Sequence, residues 1–363
     1  MWPFRKRGNG QSRDDAGGTA VVERPVVPIP TEVDDDFDGT DQELFDEIDR
    51  LTAANLAAPD REAERRLVYL RHLAGIRTLV ASAGDRPEYP EADAGALPVS
   101  DALPEIDAKD LTPGLLRAGI LRDGCVLVRG LVPRDDALRF ADQIDRAFAA
   151  RDRVQTTGED ADGYYEEFEA GTPYDVAPGA RPWIQEGGGV LAVDAPILTA
   201  EMLQIFAAAG LRELVGDYLG ERPMVSLQKT TLRKADPAIG GAWHQDGAFM
   251  GEVRALNLWL SLSRCGDESP GLDIVPRRLE GMVATTTDEA ILSYQVSQAK
   301  AEEAAGDKGI LRPIFEPGDA LFFDEMFLHQ TGSDPAMPKP RYAIESWFFG
   351  GSKFPGEYGP LVV

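Results

Sequence analysis

From Met224 onward the chain is cut into short apolar runs separated by glycine and proline turns, and this pattern fixes the class of fold it can adopt. Ala255-Leu-Asn-Leu-Trp-Leu-Ser-Leu262 alternates with period two, which places Leu256, Leu258, Leu260 and Leu262 on one face of a strand. A helix would scatter those residues around its axis, because its apolar positions recur every three or four. Segments 224–232, 310–315, 320–323 and 342–349 read as further strands, with 288–305 as a helix or an irregular insert. Upstream, glycines bracket a buried strand at 124–130, and Pro133 opens a helix to about Ala150 with Leu138, Ala141, Ile144 and Phe148 on one side. Residues 151–195 read as loops and 200–218 as a helix. Many short strands behind a helical part predict a mainly β chain with flanking helices. The expected core is a double-stranded β-helix, a jelly roll or cupin-like barrel, spanning 101–363.

Two regions precede that domain. Residues 1–40 are rich in Gly, Asp, Pro and Arg and read as a disordered leader. Residues 41–100 read as a helical extension and linker. Leu44, Phe45, Ile48 and Leu51, then Leu67, Leu70, Leu73, Ile76 and Leu79, recur at helical spacing on either side of Pro59-Asp60, with Asp60 placed to cap the second helix. The hairpin at 41–82 either packs on the main domain or carries a protein partner or a second copy of the chain.

Charge narrows the partners. The net charge is −25, from 37 basic and 62 acidic residues, and acids outnumber bases throughout. Such a surface repels phosphate backbones and anionic membranes, so neither nucleic acid nor membrane is an expected partner. With 43% hydrophobic residues the chain can still bury a full core. Cys125 and Cys265 lack CxxC spacing, which predicts neither a disulfide framework nor a zinc knuckle and fits a reducing cytoplasm. The first residues, Met-Trp-Pro-Phe-Arg-Lys-Arg, run into polar residues, so no signal peptide is expected, and no apolar run is long enough for a membrane helix.

Only three histidines occur, and two fall in the strand-rich half. Gly241-Ala-Trp-His244-Gln-Asp246-Gly247 contains H-x-D. In a strand, residues i and i+2 face the same way, so His244 and Asp246 could aim at one point. His329 follows an apolar run, and Arg341 lies a short distance beyond. Two imidazoles and one carboxylate make the ligand set of a non-haem Fe(II) oxygenase and leave positions open on the metal. A downstream arginine suits a dicarboxylate cosubstrate. An H-x-D pair alone is common, and so is a histidine at a strand end. The conjunction is what carries the reading. His72, on the N-terminal hairpin, reads as a packing residue.

These residues, in this order, resemble the phytanoyl-CoA dioxygenase (PhyH-like) family of Fe(II)/2-oxoglutarate-dependent oxygenases over about residues 103–350. The likeness starts at Asp123-Gly-Cys-Val-Leu-Val-Arg-Gly-Leu-Val-Pro133 and continues through His244-Gln-Asp246, Leu256-Asn-Leu-Trp-Leu-Ser-Leu262 and Gly271-Leu-Asp-Ile-Val-Pro276. Pro317-Gly-Asp-Ala-Leu-Phe-Phe-Asp324, Leu328-His-Gln-Thr-Gly332 and Arg341 complete it. It departs where family members have a Pro-Gly-Ser-His turn, since Pro276-Arg277-Arg278-Leu279 stands there, and residues 1–100 have no counterpart.

The resemblance implies that His244, Asp246 and His329 hold Fe(II) and serve as the catalytic centre, and that Arg341 pairs with the distal carboxylate of 2-oxoglutarate. It also implies that Gln228 and Thr331 hydrogen-bond this cosubstrate, and that a small molecule is oxidised by O2 with release of succinate and CO2. Related halogenases replace the carboxylate ligand. Asp246 is retained, which implies hydroxylation of an unactivated C–H bond; desaturation, epimerisation or cyclisation by the same oxidant is the alternative, and a jelly roll that binds without catalysis is another. Trp183, Gln185, Trp243 and Phe249 are the candidate substrate contacts.

Overall fold

The computed structural model describes residues 37–82, 87–98, 103–159, 162–171, 174–177, 179–251, 253–288, 290 and 292–363. The expected leader lies almost wholly outside the described residues, as do parts of the linker. In chain order the elements are α1 (Asp41–Ala57), α2 (Arg61–Ala81), β1 (Glu105–Asp107), α3 (Pro113–Asp123), β2 (Cys125–Arg129), α4 (Arg134–Thr157), α5 (Ala180–Glu186) and β3 (Gly189–Leu191). Next come α6 (Pro196–Ala208), α7 (Leu211–Leu219), β4 (Met224–Ala235), α8 (Gly247–Met250), β5 (Ala255–Ser261) and β6 (Gly271–Ile274). The last are α9 (Gln298–Ala305), β7 (Ala320–Phe323), β8 (His329–Gly332), β9 (Arg341–Phe349) and β10 (Pro360–Val362).

Eight strands form one sheet in the order β1-β2-β7-β5-β9-β4-β10, with β3 added along β4. Its two faces are both apolar but bury against different layers. Leu256, Leu258 and Leu260 of β5, with Phe322, Ile344 and Phe348, pack beneath Phe140, Ile144, Leu198, Phe206 and Val215 of the helices. The alternate residues, Trp259, Leu321, Phe323, Ala343, Trp347 and Phe349, face the interior of the barrel. A second, shorter layer closes that interior. It is built from β6 and β8 and extended by single bridges, His244 to His329 and Ile274 to Leu311. A double-stranded β-helix with a helix-covered large sheet results, as the alternation predicted.

The helical hairpin is capped as its sequence indicates. Thr40 and Glu43 close a capping box on α1, and the Asp60 carboxylate accepts from the Ala63 N–H. It packs on the main domain. Arg71 donates to the Val362 carbonyl at 3.2 Å, and His72 Nδ1 meets the Pro360 carbonyl at 2.7 Å, so α2 fastens β10.

Several elements differ from expectation, beginning with α5 and β3, which lie within the stretch 151–195 read as loops. Helix α4 runs past Ala150 to Thr157 and stops where Gly158 takes φ +76°, a conformation open to glycine. The expected helix at 200–218 is two helices, broken at Gly210 with φ +67°. Segment 310–315 makes only isolated bridges at Leu311 and Phe315, since Pro313 between them has no N–H for a ladder.

Candidate metal centre

His244 and Asp246 do not converge through strand geometry. His244 makes a single antiparallel bridge to His329, with N–O distances of 3.0 and 3.1 Å in the two directions. The chain then turns, and Asp246 has helical dihedrals (φ −62°, ψ −28°) at the start of α8. Gln245 causes the turn. Its side chain, 1% exposed, donates to the Met326 carbonyl at 2.7 Å and accepts from the Val283 N–H at 2.7 Å, which draws the residue between the ligands into the core. Close approach to β8 requires Gly241, where a Cβ would come within 2.5 Å of the Thr331 nitrogen.

One ligand atom each from His244, Asp246 and His329 lie within 4.8 Å of one another. His329 Nε2 stands 4.0 Å from Asp246 Oδ2, and the two imidazole rings are 4.5 Å apart. Both Nδ1 atoms face backbone carbonyls, His244 that of Ala242 at 2.7 Å and His329 that of Phe327 at 3.1 Å. A carbonyl can only accept, so each Nδ1 carries the proton and each Nε2 keeps its lone pair. Burial, then the neighbouring His244, draws His329 down to about 3, so it is neutral at ordinary pH. Burial raises Asp246, with His244 and Lys229 pulling the other way.

A charged floor lies beneath this cluster. Arg233 on β4 and Glu345 on β9 form an ion pair at 3.0 Å, and Thr231 adds a hydrogen bond to the same carboxylate at 3.2 Å. Burial raises Glu345, but Arg233 and the facing His329 outweigh it and hold the carboxyl below its usual range. One side is aromatic: Phe249 stacks on His244 at 6.3 Å, Tyr294 meets both rings edge-on, and the Lys229 ammonium lies 4.1 Å from the Phe249 centroid.

The other candidate residues fall as follows. Arg341 is 3% exposed; its Nη1 donates to the Gly271 carbonyl at 3.1 Å, its guanidinium lies over the Trp259 ring at 5.2 Å, and its Nε has no partner. Burial lowers it to about 10, so it stays charged at neutral pH. Thr331 follows His329 by two on β8 and so shares its face. Gln228 donates its amide to the Glu357 carbonyl at 2.7 Å. Trp183, 51% exposed on α5, lies beside Tyr294 at the edge of the centre. Gln185 and Trp243 are not brought there: Gln185 pairs with Gln155 on α4, and Trp243 is core, its Nε1 donating to Gln298 at 2.8 Å. Trp243 precedes a ligand in an extended segment, which turns its ring the opposite way.

Sequence reasoning missed Arg233, Glu345, Tyr294 and Lys229. The available signal was polar residues at inward positions of otherwise apolar strands, Glu345 within Arg341–Phe349 and Thr231 and Arg233 within Met224–Ala235.

The donor set fits iron(II) with 2-oxoglutarate. Two imidazole rings and a carboxylate converge, and a buried guanidinium retains an N–H without a partner. The chain belongs to the phytanoyl-CoA dioxygenase (PhyH) family of Fe(II)/2-oxoglutarate-dependent dioxygenases, whose sequence profile matches residues 120–334. No curated protein matches the chain. Among solved structures it is similar to EctD from S. alaskensis with 2-oxoglutarate and 5-hydroxyectoine, at 17% identity and a TM-score of 0.45, covering 74% of this chain and 84% of that one. It is also similar to AviO1 from Streptomyces viridochromogenes Tue57, at 17% identity and a TM-score of 0.44, covering 68% of this chain and 98% of that one. No helix among the described residues is long and apolar enough to cross a membrane.

Proposed function

We propose that His244, Asp246 and His329 hold the Fe(II), that Arg341 and Thr331 hold the 2-oxoglutarate, and that the enzyme hydroxylates an unactivated C–H bond of a small molecule. The observation that carries the assignment is the pair of Nδ1–carbonyl contacts, which leave two Nε2 lone pairs beside one buried carboxylate. Iron with 2-oxoglutarate and O2 supplies the oxidant, the cosubstrate ending as succinate and CO2.

The protein's part is binding and exclusion of water. Arg341 offers a desolvated guanidinium, charged at neutral pH, for the distal carboxylate. The Arg233–Glu345 pair keeps polar groups beneath the centre fixed, so that they need not reorganise. Phe249 and Tyr294 line one side of His244, and the substrate carbon is placed against that aromatic wall, with Trp183 at its outer edge. Gln228, tied to the Glu357 carbonyl, takes a supporting role by holding the segment that carries Tyr358. The two cysteines are buried free thiols, which supports action in a reducing cytoplasm.

The test is incubation of the purified enzyme with Fe(II), 2-oxoglutarate, O2 and small-molecule extracts, followed by mass spectrometry. A product heavier by one oxygen atom, formed in step with succinate, is expected. A product lighter by two hydrogens would replace hydroxylation with desaturation, and no substrate-dependent succinate would favour a binding protein.

A further inference from the structure

Three inward residues of the large sheet hold buried polar atoms without hydrogen-bond partners: Nδ2 and Oδ1 of Asn257, Nε1 of Trp347 and Nε of Arg341. Asn257 is 0% exposed and Trp347 1%. An amide stripped of water and left unbonded on both atoms destabilises the fold, and a leucine of similar size would serve the core better. Such groups persist where a ligand satisfies them.

Their placement indicates which ligand. Asn257 on β5 is flanked by its register partners Phe323 on β7 and Trp347 on β9. The Phe323 ring lies 4.8 Å from His329 and 5.9 Å from Trp347, so Asn257 and Trp347 share the inner face of the sheet with the cluster and stand one ring away from it. Two residues along β5 is Trp259, over whose ring the Arg341 guanidinium lies at 5.2 Å. Two strand residues rise about 7 Å, a distance comparable with the reach of a five-carbon dicarboxylate. Between Arg341 and Glu345 on the inner face of β9 stands Ala343, whose small side chain leaves that path clear.

The geometry points to Asn257 and Trp347 as a second anchor for the cosubstrate: their N–H groups donate to its metal-side carboxylate while Arg341 holds the far end. This rests on the proposed assignment of Arg341. Asn257 and Trp347 act by binding and orienting; neither transfers a proton.

The experiment is anaerobic calorimetry of 2-oxoglutarate binding to the Mn(II)-loaded full-length protein, with thermal unfolding of the metal-free protein alongside. Asn257→Leu is expected to raise the Kd by about tenfold or more while the metal-free Tm holds or rises, because a partnerless amide has been removed. Trp347→Phe, which keeps the ring and loses only the N–H, is expected to weaken binding several-fold. A lowered Tm with unchanged Kd in Asn257→Leu would make the amide structural and overturn the proposal. If that variant does not fold, unchanged affinity in Trp347→Phe overturns it. Arg341→Leu in the same titration separates the two claims: wild-type affinity there removes the assignment of Arg341 and the anchor that rests on it, whereas weakened binding there with unchanged affinity in Asn257→Leu and Trp347→Phe removes the second anchor alone.

Discussion

Two backbone carbonyls, those of Ala242 and Phe327, decide the tautomers of His244 and His329 and so what the rings can ligate. At the same scale, Arg341→Leu is expected to raise the KM for 2-oxoglutarate on the order of 100-fold, about 3 kcal/mol, because a buried carboxylate loses its charged partner. Steady-state kinetics with varied 2-oxoglutarate checks this, and an unchanged KM would mean another residue holds the cosubstrate. Glu345→Gln is expected to cost about 1–3 kcal/mol in urea unfolding, discounted because Arg233 and Glu345 retain 15% and 24% side-chain exposure. No change would show that the pair is solvated. The convergence of His244, Asp246 and His329 was legible because histidine is scarce in this chain and H-x-D is a short pattern. The inward placement of the polar side chains of Asn257 and Glu345 was not, since alternation alone does not say what lies opposite. Gln185, a polar residue in the stretch 164–190, and Trp243, an aromatic beside the H-x-D, were candidates by position in the sequence, and packing turns both elsewhere.

At the scale of elements, α2 and β10 are coupled, and the tie continues to the site through Gln228 on Glu357 and Lys229 over Tyr358. Removing residues 1–82 is therefore expected to lower both Tm and turnover. Unchanged values would instead leave the hairpin free to recruit a partner. His72 adds a pH dependence. Burial lowers its pKa from 6.5 to about 4, with the Pro360 carbonyl opposing. The unfolded chain thus takes up a proton below pH 6.5 that the folded protein refuses until about pH 4. Stability from this group is full above 6.5 and falls between 6.5 and 4, by about 3 kcal/mol in all. Denaturant melts at pH 7 and pH 4.5 should show a smaller loss in His72→Leu than in wild type; equal losses would mean His72 does not titrate as its burial dictates. The strands and the hairpin were legible from period two and period 3.6. The split at Gly210 and the lost strand around Pro313 were not, because one residue's backbone preference overrode a continuous apolar pattern.

At the scale of the whole molecule, a net charge of −25 sets the background field. Self-repulsion is screened by salt, so Tm is expected to rise by a few degrees between about 0.05 and 0.5 M NaCl. Differential scanning calorimetry checks the sign, and a fall would mean that attractive pairs dominate. The barrel's purpose is to bring residues far apart in sequence to one point, the small sheet supplying His244 and His329 and the large sheet the floor beneath them. The most direct test is anaerobic titration of Fe(II) into the protein with 2-oxoglutarate, followed by the weak visible charge-transfer band. One iron per wild-type chain should produce the band, and His244→Ala and His329→Ala, each still folded, should lose it. A band that survives in both variants would contradict the assignment of the iron to these residues.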